Sequence, residues 1–171
     1  MKNIVLIGFM GVGKGSVARE IVKQSDIIAL DTDDIIESME NRKIKKIFAE
    51  EGEEYFRSLE RKVAHWLQKE VKGTLISTGG GFFKVPNLSK IGTVVYLYAP
   101  FETIYNRILA HPNAESKLRK RPLFQEIEKA KKLYEERSPL YKKAADIVID
   151  VSDKSVEQVA KEILKKVKKD D

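Results

Sequence analysis

The sequence predicts an α/β protein in which a five-stranded parallel sheet is flanked by helices. Short apolar runs recur at 4–7, 27–30, 74–77, 93–97 and 146–150. Between them lie longer segments whose apolar residues repeat every three or four positions. Glycines or acids cluster directly after several of the runs, where a parallel sheet collects its functional groups.

The first run, Ile4-Val5-Leu6-Ile7, leads into Gly8-Phe9-Met10-Gly11-Val12-Gly13-Lys14-Gly15-Ser16, and Val17, Ala18, Ile21 and Val22 then carry helical spacing. Strand, glycine-rich loop and helix in that order match the Walker A pattern of a P-loop NTPase. The glycines let backbone N–H groups curl around a phosphate, the helix N-terminus favours an anion, and Lys14 adds a positive charge. Gly11, Val12, Gly13, Lys14, Gly15 and Ser16 are therefore the expected nucleotide contacts. The position after the lysine ordinarily holds a Ser or Thr whose hydroxyl binds Mg2+. Here it is Gly15, and Ser16 stands about 100° further round the helix.

The second run, Ile27 to Leu30, is expected as a short buried strand ending in Asp31-Thr32-Asp33-Asp34. Acids two apart on extended backbone share a face, and an intervening bend lets each address a different part of one cleft, so one can hold Mg2+ and the other a substrate hydroxyl. The competing reading is an acidic helix start, with Asp34 as the cap of the segment from Ile35. Residues 35–72 have helical periodicity, broken at 41–43 and at Gly52. Arg57 and Glu60 fall on one face of that stretch, which by itself describes a surface ion pair. The third strand, Thr74 to Ser77, is followed by Thr78 and then Gly79-Gly80-Gly81. A turn needs one glycine, and three imply close approach of backbone to a ligand.

The fourth strand, Thr93 to Leu97, precedes a helix from Phe101 to Leu109 that carries Arg107. The polar segment that follows, with His111 and a basic cluster up to Arg121-Pro122, is expected as a mobile lid over 110–123, against an ordinary exposed loop. The next helix is expected to span Ala130 to Arg137 and to stop at Ser138-Pro139. A fifth strand, Asp146 to Asp150, and a closing helix, Ser155 to Val167, complete one domain over 1–171. The Lys-rich end is the solvated face of that helix. His65 and Trp66 are read as structural.

The chain has no cysteine, which excludes disulfides and thiolate metal sites. It has no apolar run of about 18–20 residues for a membrane span and no cleavable leader, so a cytoplasmic protein is expected. A net charge of +6 is interspersed with 26 acids and forms no aromatic-interleaved patch, which argues for small anionic ligands over nucleic acid.

Taken together, Gly8-Phe9-Met10-Gly11-x-Gly13-Lys14, Asp31-Thr32-Asp33, Gly52-Glu53-x-x-Phe56-Arg57-x-x-Glu60, Gly79-Gly80-Gly81, Arg121-Pro122-Leu123 and Glu136-Arg137-x-Pro139-Leu140-Tyr141 resemble shikimate kinase over nearly the whole chain. The resemblance implies a nucleoside-monophosphate-kinase-like fold and transfer of phosphate from ATP, with Mg2+, to the 3-hydroxyl of shikimate. It implies that 33–60 holds the substrate-binding region and that Lys14, Asp33 and Arg121 are catalytic. Asp33 would take the hydroxyl proton, and Arg57 and Arg137 would grip the carboxylate, with Glu60 positioning Arg57. Gly79, Gly80 and Gly81 would meet the substrate through backbone. Asp31, with Ser16, would serve the metal, Arg107 would flank adenine, and Arg121 would reach phosphates. A monomer is implied. Gly15 departs from the family pattern, and it leaves open a shikimate- and ATP-binding protein with impaired turnover, or another small-molecule P-loop kinase.

Overall fold

The computed structural model describes residues 1–110, 113 and 126–170. Strands β1 (Asn3–Ile7), β2 (Ala29–Asp31), β3 (Leu75–Ser77), β4 (Gly92–Tyr98) and β5 (Ile147–Asp150) form one parallel sheet in the order β2-β3-β1-β4-β5. β1 is central and every one of its residues is buried, as an apolar strand covered on both faces must be. β2 is an edge strand, and that corrects the expected Ile27–Leu30 boundary. Ile28 precedes the strand and is 72% exposed, because only β3 lies beside this end of the sheet.

Among the described residues the α-helices are α1 (Lys14–Gln24), α2 (Thr32–Glu40), α3 (Ile44–Glu51), α4 (Glu53–Glu70), α5 (Leu88–Ile91), α6 (Phe101–Ala110), α7 (Ile127–Ala144) and α8 (Val156–Asp170). α1 packs along α8, while α2 and α3 pack on α4. The two breaks foreseen in 35–72 are real. Asn41 takes a left-handed conformation after α2, and Gly52, with φ 87°, ends α3 and starts α4. His65 and Trp66 lie on the solvent face of α4 and contribute nothing to the core.

One expectation fails usefully. α7 does not stop at Ser138 but runs through Pro139 to Ala144. Proline removes the bond to the carbonyl of Glu135, but both residues are on the exposed face, where water replaces the lost donor. Continuing the helix buries Tyr141 completely, on the face that also buries Arg137.

Asn3 ties the central strand to its neighbours. Its Nδ2 donates to the carbonyls of Val71 and Ile91 at 2.8 and 3.0 Å, and its Oδ1 accepts from the N–H of Thr74 at 3.0 Å. The side chain thus fixes where the chain enters β3 and β4, and so aligns the carboxyl ends of three adjacent strands. Asn3→Leu should lower unfolding free energy by about 1–3 kcal/mol, since it strands buried backbone groups. Urea denaturation measures this, and an unchanged midpoint would refute the clamp.

Candidate active site

The carboxyl end of β1 opens into the phosphate loop. Gly11 and Gly13 take φ of 85° and 107°, which side chains resist, and Gly13 begins α1 without a side-chain cap. The first turn of α1 therefore presents backbone N–H groups and the positive end of its dipole to the loop. Lys14 is almost fully buried and folds back over this concavity, with Nζ 2.6 Å from the Gly8 carbonyl and 3.1 Å from that of Phe9. Gly15 is not imposed by crowding from the described residues, because beyond its own helix backbone a Cβ there would meet Arg19 Nη1 at an ordinary contact distance of 3.4 Å. Ser16 is exposed, and its Oγ accepts from Arg19 Nη2 at 3.3 Å.

The carboxyl end of β2 supplies Asp31 and Asp33. Asp31, not Asp34, caps α2: its Oδ1 accepts from the N–H of Asp34 at 3.0 Å. The helix starts at Thr32, so Asp33 lies in its first turn rather than on extended backbone. Asp33 Oδ1 is buried with no hydrogen-bond partner among the described residues. Burial, reinforced by the charges of Asp31 and Glu60, raises the Asp33 carboxyl to about 7 against the pull of Lys14. Burial also raises Asp31, although the Asp34 N–H hydrogen bond acts against it.

The carboxyl end of β3 brings the three glycines over the remaining charged groups, and each glycine faces a different one. A Cβ on Gly79 would lie 2.8 Å from Asp33 Oδ1, one on Gly80 would lie 3.2 Å from Arg137 Nη1, and one on Gly81 would collide with the Arg57 guanidinium. The absence of side chains is thus what lets these three head groups reach one place. Arg57 Nη1 donates to Glu60 Oε1 at 2.6 Å and Nη2 to Glu53 Oε2 at 3.1 Å. Glu60 is 2% exposed. Burial raises its carboxyl, and the Arg57 hydrogen bond lowers it. Glu60 Oε2 and Arg137 Nε also lack hydrogen-bond partners among the described residues. A cavity of about 540 Å³ opens here, lined by Arg57, Glu60, Gly81, Lys84 and their neighbours.

A family model described as shikimate kinase matches residues 10–168. The chain belongs to the shikimate kinase family. It is 40% identical to a shikimate kinase of Helicobacter hepaticus over 96% of this chain and 95% of that one. Among solved structures it is similar to shikimate kinase from Acinetobacter baumannii in complex with shikimate. That match has TM-score 0.76 and 32% identity, over 99% of this chain and 94% of the other. It is also similar to shikimate kinase from Aquifex aeolicus, with TM-score 0.75 and 33% identity over 98% and 97% of the two chains. The five-stranded parallel sheet flanked by helices is the fold these structures share.

The fold brings Lys14, Asp31, Asp33, Arg57, Arg137 and the three glycines together. Arg107 lies elsewhere on the rim, where its Nη2 donates to the carbonyls of Val151 and Ser152 at 2.6 and 2.8 Å and ties α6 to the end of β5. Arg121 and His111 fall outside the described residues, as does the 110–123 lid apart from 110 and 113. Two supporting residues carry no role in the sequence reading. Buried Thr32 accepts from the Gly79 N–H at 3.2 Å. Tyr141 donates to the Gly80 carbonyl at 2.7 Å, and burial holds its hydroxyl protonated by pushing it up to about 12. Both stand inside quoted motifs, beside Asp33 and one helical turn past Arg137, so spacing alone could have flagged them.

Gly81→Ala should displace Arg57 while leaving the fold intact. The KM for shikimate should rise about tenfold or more, the worth of one charge-assisted hydrogen bond. Steady-state kinetics beside a thermal melt checks this; an unchanged KM would show that Arg57 is not held by the glycine.

Proposed function

We propose that this chain transfers the γ-phosphoryl group of ATP to the 3-hydroxyl of shikimate, and that the residues assembled above perform it. The observation that carries the assignment is the set of buried polar atoms left without partners among the described residues, Asp33 Oδ1, Glu60 Oε2 and Arg137 Nε, on side chains gathered about the glycine loop after β3, with Glu60 also lining the cavity. Buried polar atoms without partners are costly, and a ligand with a carboxylate and several hydroxyls supplies the missing bonds.

In this reading Arg57 and Arg137 clamp the carboxylate of shikimate, for which paired guanidinium groups are suited in both charge and shape. Glu60 holds Arg57 in place, and the carbonyl of Gly80, fixed by Tyr141, sets the height of the glycine loop over the ring. Asp33 accepts the proton of the attacking hydroxyl. The hydroxyl oxygen bonds to the γ-phosphorus, the bond to the bridging β–γ oxygen breaks, and ADP leaves with that electron pair. Lys14 exchanges the carbonyls of Gly8 and Phe9 for phosphate oxygens and stabilises the charge that spreads during transfer. Gly11, Val12, Gly13, Gly15 and Ser16 contribute the phosphate loop. Gly79 and Gly81 complete the floor under the substrate.

Asp31 would hold Mg2+ through water beside the nucleotide, and the ion would supply neutralisation of phosphate charge. The donor set here fits a metal held mainly by the nucleotide and through water. Asp31 lies close enough to feel Lys14, whereas Gly15 offers no hydroxyl and that of Ser16 is engaged with Arg19. Arg107, Arg121 and a lid over 110–123 extend the proposal to the nucleotide's outer side. A monomeric, cytoplasmic enzyme that binds no nucleic acid completes it. Among the described residues no helix is long and apolar enough to cross a membrane.

A coupled ADP-release assay tests the reaction. Turnover should require both shikimate and ATP, and shikimate-independent release would refute the substrate. A base that titrates near neutrality makes kcat/KM rise with pH through about 7 and level off above it. Asp33→Asn should abolish that limb and lower kcat at least about 100-fold. The same shift has a stability consequence of opposite sense. The folded state binds this proton more tightly than the unfolded state, so ligand-free stability should fall as pH rises from 3.8 to about 7. Denaturation of wild type and Asp33→Asn across that window measures it, and parallel pH profiles would refute the raised carboxyl.

A further inference from the structure

Gly15 leaves a gap in the phosphate loop, and the structure shows what stands in it. Residues four apart on a helix share a face, and side chains lean toward the N-terminus. Arg19, one turn beyond Gly15, therefore runs back along α1. Four residues of helix rise about 6 Å, roughly the reach of an arginine side chain, so its guanidinium comes level with residue 15. Among the described residues, and apart from the chain neighbours and the backbone of the helix itself, Arg19 Nη1 is the one heavy atom within 4 Å of the position a Gly15 Cβ would occupy, and Nη2 reaches Ser16 Oγ.

Nothing anionic holds Arg19 there. Among the described residues it makes no salt bridge, and its one hydrogen bond is to a neutral, exposed hydroxyl. Arg57 and Arg61, on α4, by contrast each have a glutamate partner. An unpaired guanidinium at the mouth of a loop built for phosphate lacks only its anion.

We propose that Arg19 is a phosphate-contacting residue of this chain, seated over Gly15, and that it supplies directly to the nucleotide part of the positive charge that a hydroxyl-anchored metal supplies in a Ser- or Thr-bearing loop. The planar fork of arginine can give two N–H groups to one phosphate, and the missing Gly15 side chain is what leaves room for that approach. A serine at 15 would clear the guanidinium at Cβ, but its hydroxyl would contest the same space. This inference rests on the kinase reading of the loop and adds to it a second cationic contact beside Lys14.

The prediction is read by binding. In the presence of EDTA, ADP and a non-hydrolysable ATP analogue should bind wild type measurably by calorimetry, and Arg19→Gln should weaken both by tenfold or more. Arg19→Lys, a point charge without the fork, should fall between them. Gly15→Ser should weaken binding in EDTA and restore it when Mg2+ is added, giving a steeper metal dependence than wild type. Arg19 is exposed, so the ligand-free melting temperature and the affinity for shikimate should be the same in wild type and both Arg19 variants. Equal nucleotide affinity of wild type and Arg19→Gln in EDTA would overturn this proposal alone. A wild-type chain that binds no nucleotide with or without Mg2+ would overturn it together with the kinase reading. A fall in melting temperature that accounts for the lost affinity would make Arg19 structural, and would also overturn it.

Discussion

Arg57 and Glu60 stand on consecutive turns of α4 with a 2.6 Å hydrogen bond between them, and the acid has almost no exposure to water. Taking such a pair out of solvent is unfavourable unless its remaining hydrogen-bonding capacity is met. In this chain it is met only in part. Among the described residues Glu60 Oε2 is left over, as are Asp33 Oδ1 and Arg137 Nε on side chains that meet the same glycine loop. The arrangement is expensive as a stabilising device and sensible as a binding site. Its cost is carried by the apolar sheet beneath it, in which the central strand is wholly buried.

The glycine loop after β3 makes that arrangement possible. Its three residues give up side chains so that Asp33, Arg137 and Arg57 can each come up against bare backbone. Thr32 and Tyr141 then pin the loop from two sides, through the Gly79 N–H and the Gly80 carbonyl. Tyr141 is in position because α7 ignores its proline. The helix gives up one solvent-side hydrogen bond and gains a fully buried aromatic that packs on Tyr96 and Phe83. Local backbone preference, core packing and placement of a ligand-facing carbonyl are linked through that one helical turn.

Electrostatics couples the two halves of the site. Lys14 belongs to the phosphate loop, yet its charge is felt by Asp31 and Asp33 at the end of β2. Burial and two neighbouring acids outweigh it at Asp33 and leave that carboxyl near neutrality, where a base both holds and releases a proton readily. Lys14 itself rests on loop carbonyls, so nucleotide entry rearranges a positive charge that the proposed base feels.

Much of this was legible in the residues. Alternating apolar runs and helical segments determined the parallel α/β sheet, because strands buried on both faces are continuously apolar and crossover helices must separate them. The phosphate loop, the acids after β2 and the triple glycine declared themselves through residue types that are costly without a ligand. Other features depended on contacts distant in sequence. Ile28 looks buried in a local window and is exposed because β2 is an edge. Pro139 looks like a helix stop and is not, because Tyr141 repays the lost bond through tertiary packing. Arg57 looks like half of a surface ion pair until α4 and the loop after β3 enclose it. Arg19 is an ordinary helix residue in the sequence, and only the folded helix shows its guanidinium over Gly15. Periodicity and composition fixed which elements form, since those depend on neighbours a few residues apart. Which charges are buried, which glycine faces which head group and what occupies the gap in the phosphate loop were decided by tertiary structure, because each depends on groups that meet only after folding.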